Sequence, residues 1–189
     1  KSRKSFENKK NLTQNSLNIL WVGRLEPIKD PQLFLGLLYY LNVFKGYWEA
    51  SMIGNGSLRN EVKNQINKLP SLIKSRIDFH GQIDNSKIEI FYKKADILVI
   101  TSLTESFSLV ILEAIINNTK IVSVPIKELQ NSFLSQYINF SSSREPKEIA
   151  RKIIDVYQNK SLSKDYSKIL VDIIKLYENQ SKAILKWFK

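Results

Sequence analysis

The chain has 189 residues, 43% hydrophobic and 25% charged, an ordinary composition for a globular protein with one sizeable core. It has no cysteine and one histidine, His80, which excludes disulfides, thiolate metal sites and any histidine-based metal cluster. The formal net charge of +11 leaves three readings open: an anionic membrane surface, nucleic acid, or plain lysine-rich composition.

The apolar runs are too short to span a bilayer, and the basic N-terminus lacks the apolar core of a signal peptide. A cytoplasmic protein is therefore the expectation, and the start at Lys1 rather than a methionine reads as a piece of something longer. Residues 1–16 are polar and read as a tail or linker, and 17–189 as the folded unit. Strand-like and helix-like segments then alternate. Leu17–Val22 is a buried strand. Pro31–Phe44 is a helix, with Asp30 as N-cap and Pro31 in the first helical position. Trp48–Ile53 is the second strand, and Gly54–Asn55–Gly56–Ser57 opens a helix to about Lys68, with Ser57 as its cap. Ile77–His80 is a short strand. Asn85 or Ser86 caps a helix to about Lys94, and Ile97–Ile100 is the next strand. A helix over Phe107–Asn118 follows, apolar nearly all round and so expected to be buried. Lys120–Val124 is a strand, Glu128–Leu134 a short helix, Tyr137–Phe140 a last strand and Pro146–Gln158 an amphipathic helix. Leu162–Phe188 is helical in pattern, with a break near Glu178–Ser181.

This alternation predicts an α/β fold, a doubly wound, Rossmann-like parallel sheet covered on both faces. In such folds ligands bind beyond the carboxyl ends of the strands, so the informative residues are those just after each strand. After the first stand Gly23, Arg24 and Lys29: a glycine that permits close approach, a planar fork and a point charge, suited to phosphate or to surface salt bridges. After the second, Gly54 and Gly56 lead into a helix N-terminus that can accept a phosphate, although neither a Walker loop nor a complete dinucleotide fingerprint is present. After the third come His80, Gly81 and Gln82, where a flat base could lie against the backbone. After the fourth come Glu105 in a polar turn and Glu113 inside the apolar helix. A buried carboxylate needs a partner. Eight helical residues rise about 12 Å, too far for two carboxylates to share a proton. Spaced so, they suit the two ends of a hydroxyl-rich ligand, with the N–H groups near Ser108, Leu109 and Val110 facing an anion between them. A solvated stripe of Glu113 and Asn117 is the alternative.

These residues together resemble a known family. Gly23–Arg24–Leu25 with Lys29, Gly54–Asn55–Gly56, Phe79–His80–Gly81, Ala95–Asp96–Ile97, and Glu105–x–Phe107 with Glu113–Ala114 are similar, in order and approximate spacing, to the retaining GT-B-fold glycosyltransferases of family 4, whose best-known mark is the E-x7-E element. The resemblance covers roughly residues 17–158 and corresponds to the family's C-terminal, nucleotide-sugar donor half of the GT-B fold. It implies that Arg24 and Lys29 neutralise the donor diphosphate and that Glu105 contacts the transferred sugar. Ser108, Leu109 and Val110 would offer backbone donors to the phosphates, and Glu113 would hold the ribose hydroxyls. Gly23, Gly54, Phe107 and the stretch His80, Gly81, Gln82 would line the nucleotide. No metal is implied, because basic residues and helix dipoles take its electrostatic role. The implied protein is a hexosyltransferase acting in polysaccharide biosynthesis on a glycan or lipid-linked acceptor. It would be cytoplasmic or peripheral on the inner face of the membrane, bind no nucleic acid, and be inactive without its N-terminal acceptor domain. Three positions depart from the family pattern: Ser108 and Asp30 stand where glycine is usual, and Pro125–Leu129 replaces a glycine-containing loop. The competing readings are a nucleotide-sugar epimerase of the same architecture, and a non-catalytic or degenerate nucleotide-sugar module with a basic, membrane-facing surface. The segment near Lys182–Phe188 would pack on the missing domain or form a simple end helix.

Overall fold

The computed structural model describes residues 16–44, 46–105 and 108–159. The expected C-terminal helix and Phe107 lie outside the described residues, as does the tail up to residue 15. Among the described residues six strands form one sheet: β1 (Ser16–Val22), β2 (Tyr47–Ile53), β3 (Ile77–Gly81), β4 (Ile97–Ile100), β5 (Lys120–Ser123) and β6 (Ile138–Phe140). Every pairing is parallel, in the order β3-β2-β1-β4-β5-β6. That is the Rossmann order, with its reversal of direction between β1 and β4. The central strands are near-continuous apolar runs because both faces are covered. Leu17, Ile19, Leu20 and Trp21 of β1 and all of β4 are buried.

Among the described residues seven helices connect and follow the strands: α1 (Pro31–Tyr40), α2 (Arg59–Lys68), α3 (Ser71–Lys74), α4 (Asn85–Lys94), α5 (Leu109–Ile116), α6 (Lys127–Gln130) and α7 (Pro146–Gln158). α1 packs with α2 and α7 on one face, and α4 packs with α5 on the other, as right-handed crossovers require. α7 starts on Pro146, and its buried residues Ile149, Ala150, Ile153 and Val156 recur at helical spacing. Gly36 of α1 faces Pro146, and a Cβ there would meet the proline ring at an ordinary contact distance of 3.6 Å.

Several boundaries differ from the sequence reading. The helix expected over Pro31–Phe44 ends at Tyr40 and tightens into a 3-10 turn over Leu41–Val43. Ser57 does not cap α2. Its N–H and hydroxyl both donate to the Glu26 carboxylate, at 2.9 and 2.7 Å, and the helix begins two residues later. α4 begins at Asn85 after Asp84, whose side chain makes no capping bond. The helix expected over Glu128–Leu134 is instead α6 and a 3-10 turn over Phe133–Tyr137. α5 buries Ile111, Leu112, Ala114 and Ile115, whereas Leu109 and Ile116 are 61% and 59% exposed, so it is less enclosed than its composition predicts.

Candidate functional site

The reversal between β1 and β4 places two loops side by side, and hydrogen bonds join them. Trp21 of β1 donates its indole N–H to Thr101 Oγ1 (3.0 Å), and that hydroxyl donates to the Lys29 carbonyl (2.8 Å). Leu103 N–H donates to the Ile28 carbonyl (2.8 Å). Lys29 closes a 3-10 turn over Pro27–Lys29, and its ammonium reaches across to Glu105 Oε1. Ser102 Oγ donates to the same oxygen at 2.8 Å. Glu105 is only 6% exposed, and these two donors answer the question of what partners its charge.

Asp30 explains its own departure from the family pattern. Its backbone is left-handed (φ 48, ψ 60), a conformation glycine adopts freely and aspartate tolerates. Aspartate adds two contacts that glycine lacks. Oδ1 caps α1 by accepting from Leu33 N–H (3.2 Å), and Oδ2 accepts from Arg144 (2.7 Å). Arg144 also donates to the Ser102 carbonyl (2.7 Å) and the Thr101 carbonyl (2.8 Å), so one guanidinium joins the loops that carry Lys29 and Glu105. Sequence reasoning missed Arg144, although it stands just after β6, where the rule about strand ends pointed.

Arg24 is exposed in the loop after β1. Its carbonyl accepts from Glu26 N–H (2.9 Å), its charge helps the Ser57 bonds to lower the Glu26 pKa, and among the described residues its guanidinium makes no hydrogen bond or ion pair. Ser108 is the N-cap of α5, with extended backbone (φ −113) that a serine adopts without strain, and its side chain makes no capping bond. The first intrahelical donors are Ile111 and Leu112, both to the Ser108 carbonyl. Among the described residues the N–H groups of Leu109 and Val110 have no backbone acceptor and stand at the start of the helix. Glu113 is half-buried and accepts from the Tyr92 hydroxyl at 2.7 Å through Oε2. Burial above all, and then Glu113 itself, push the Tyr92 phenol far above its ordinary pKa, so the tyrosine is always the donor. Asn117 donates to the backbone carbonyl of Glu113 rather than forming a stripe with its carboxylate.

The glycines do structural work. A Cβ on Gly54 (φ 151) would lie 1.8 Å from the Gly23 carbonyl oxygen, and one on Gly56 would lie 2.5 Å from that of Leu25. Gly54 N–H is already committed to the Gly81 carbonyl (2.8 Å). The Glu26 carboxylate occupies the position before α2 that the sequence reading left for a phosphate. The Ser57 bonds hold its pKa below the ordinary carboxylate value. Gly23 faces the Trp21 ring, where a Cβ would stand 3.3 Å away.

Gln82 is exposed after β3. The His80 imidazole stacks edge-on against Phe91, with ring centroids 4.6 Å apart, and Asp78 Oδ2 lies 3.3 Å from Nε2 outside hydrogen-bonding geometry. It lines a pocket of about 300 Å³ with Asn18 and Glu49, which stand early in β1 and β2. The side chain thus packs on the sheet face under α4. Asp96, a resemblance-bearing residue, accepts from the backbone N–H of Asn18 (2.7 Å) and so registers β4 against β1. After β5, Ile126 and Leu129 are buried, so that loop is apolar where the family pattern has glycine. Among the described residues no group of three acidic or histidine side chains is arranged for a metal, and no helix is long and apolar enough to cross a membrane.

Comparison with known proteins agrees with this fold. The profile of the family described as Glycosyl transferases group 1 matches residues 2–169. An undecaprenol-diphosphate-linked glycan α-1,4-N-acetyl-D-galactosaminyltransferase of Campylobacter jejuni is 31% identical over 99 residues, 51% of this chain and 26% of that protein. Among solved structures, Staphylococcus aureus TarM bound to UDP superposes with a TM-score of 0.71 at 19% identity, over 90% of this chain and 34% of that one. Anabaena HepE, in complex with UDP and glucose, gives 0.70 at 16% identity, over 96% and 51%. The chain thus spans about a quarter to a half of the length of these relatives.

Proposed function

The chain belongs to the glycosyl transferases group 1, and from that premise we propose that it is the donor-binding half of a retaining, family 4 transferase using a nucleoside-diphosphate sugar. The observation that carries this reading is the pairing of Lys29 and Glu105 across the β1–β4 reversal, beside the open start of α5. In the bound state Lys29 serves two acceptors, since an ammonium has three donors. It keeps Glu105 and adds a phosphate oxygen. Arg24, free to move, closes on the diphosphate as a bidentate fork. The N–H groups of Leu109 and Val110 face the phosphates at the positive end of α5. Glu113 accepts from the ribose, and Glu105 faces the sugar.

In the transfer the bond from the anomeric carbon to the diphosphate breaks as the acceptor hydroxyl forms a new one on the same face. Its proton passes to the departing phosphate oxygen. Fixed cationic donors at that oxygen lower the barrier by stabilising charge that develops only as the bond breaks. The acceptor is a glycan or lipid-linked hydroxyl compound, held by a domain preceding this one, and polysaccharide assembly at the inner face of a membrane is the setting that fits.

Titration calorimetry of this chain with UDP, ADP and GDP, at low and high salt, tests the reading. One diphosphate should bind with micromolar-to-millimolar affinity and survive added salt better than an exchange of loose counterions would. Arg24→Ala should weaken it at least tenfold. Absence of binding by all three, or loss of all binding in salt, overturns the proposal.

A further inference from the structure

Glu113 is the one carboxylate of the proposed site that no cation holds among the described residues; its partner is a tyrosine on a different helix. Tyr92 is 1% exposed and near the end of α4, and its hydroxyl reaches α5 at Glu113 Oε2, 2.7 Å away. The same residue is gripped from a second point. Its backbone carbonyl accepts from Thr119 Oγ1 at 2.8 Å, and Thr119 is 1% exposed just beyond the end of α5. Tyr92 therefore spans the last turns of α5, holding the Glu113 side chain on one side and the chain following the helix on the other.

We infer that Tyr92 is a positioning residue that holds Glu113 Oε2 and presents Oε1 to the vicinal hydroxyls of the nucleotide ribose. The inference rests on the proposed donor site and deepens it, by making ribose recognition depend on a phenol that never touches the ligand. Three features support it. Glu113 sits in a helix whose neighbours Leu112, Ala114 and Ile115 are buried, so a carboxylate there has few other donors to orient it. A hydrogen bond to one oxygen of a carboxylate removes one of its two rotational equivalents and fixes the plane of the other oxygen. The phenol, kept protonated by burial, always has its O–H available to donate to the carboxylate. A rotationally free glutamate would lose more entropy on gripping a diol than one already oriented.

Tyr92→Phe deletes one oxygen and keeps the buried ring. The assay is calorimetry on the 189-residue chain with whichever of UDP, ADP and GDP binds tightest, and with its 2′,3′-dideoxy analogue. The unmutated chain should prefer the ribonucleotide by about tenfold, the discrimination expected from a hydrogen bond to a charged group. In Tyr92→Phe the ribonucleotide should weaken by about five- to tenfold while the dideoxy analogue is nearly unchanged, so the preference collapses. Glu113→Ala should abolish the preference as well, and Tyr92→Phe added to it should change nothing further. A merely structural role would weaken both ligands alike. Equal loss for the two ligands, or no loss for either, overturns the inference and leaves the donor site standing. A wild-type chain that binds the diphosphate without preferring the ribose form overturns it without any variant. Failure of the unmutated chain to bind any of the three diphosphates overturns the donor site and this inference together.

Discussion

Arg144→Met removes the guanidinium that joins the two site loops and leaves most of its apolar stem. The side chain is 33% exposed and its Asp30 partner 25%, so the ion pair itself is partly screened and contributes about 0.5–1 kcal/mol. The two bonds to the carbonyls of Thr101 and Ser102 weigh more. Those residues are 1% and 3% exposed, and a charged donor lost from a buried acceptor costs about 1–2 kcal/mol each. The total expected loss is about 3 kcal/mol in urea unfolding of the chain, with m unchanged. Asp30→Asn separates the parts, because asparagine keeps the left-handed backbone and the cap on Leu33 but gives up the charge. It should cost about 0.5–1 kcal/mol in the wild-type background and almost nothing beside Arg144→Met. Nucleoside diphosphate binding should fall with Arg144→Met even where the variant is fully folded, because Lys29 and Glu105 lose their common anchor. A loss below about 1 kcal/mol, full additivity of the two substitutions, or unchanged nucleotide affinity in the folded variant would refute the clamp.

Three other outcomes follow from the geometry. Lys29→Ala should both weaken nucleotide binding and lower stability, by about 1–3 kcal/mol, since Glu105 stays buried with Ser102 alone, whereas Arg24→Ala should affect binding only; parallel thermal melts and calorimetry separate them. Gly54→Ala should cost more than about 3 kcal/mol, because no side-chain motion relieves a Cβ set against a carbonyl oxygen, while Gly36→Ala, mid-helix with only an ordinary contact to Pro146, should stabilise by about 0.5–1 kcal/mol; chemical denaturation reads both. The Glu26 carboxyl has its folded pKa lowered by the Ser57 bonds, so its stabilisation is fully present above its unfolded value of 4.5 and is lost as the pH falls below that; Glu26→Gln should flatten the stability profile in that acid range, and an unchanged slope there would show the bonds to be without effect.

What the sequence made legible followed from local chemistry. Pro146 with the spacing of Ile149, Ile153 and Val156 marks α7 to both of its ends. Apolar runs, broken in β1 only by Asn18 after Leu17, mark β1 and β4 as central strands. Asp30 before Pro31 marks the start of α1. Local reading fails where a distant partner competes. Ser57 looks like a cap, but Glu26, thirty-one residues earlier in the chain, takes its donors and the helix starts later. Glycines at positions 54 and 56 look like a phosphate cradle, whereas their need is close approach to the loop after β1. For Glu105 and Glu113, the demand for a partner was visible and the identity of the partner was not. Lys29, Ser102 and Tyr92 meet them only once the strands are ordered. Arg144 carries no local signature, since an arginine before a helix is common and its three acceptors belong to two other loops.

The strand order also governs when the crevice can exist during synthesis. β1 is made first yet sits in the middle of the sheet, and one edge stays open until β4 has left the ribosome, for Ile19 registers against Ile97. Such distant parallel pairing is slow to form, and the open edge meanwhile offers free N–H and C=O groups to other chains. Lys29 is translated long before Glu105, and Arg144, which locks the two loops together, comes later still. A nascent chain halted before β4 therefore carries Lys29 without Glu105, and one halted before β6 can pair them but lacks the Arg144 clamp. On the proposed function, nucleotide capture would become a property of the finished domain, and a bound nucleotide would stabilise only chains that have joined both halves of their sheet.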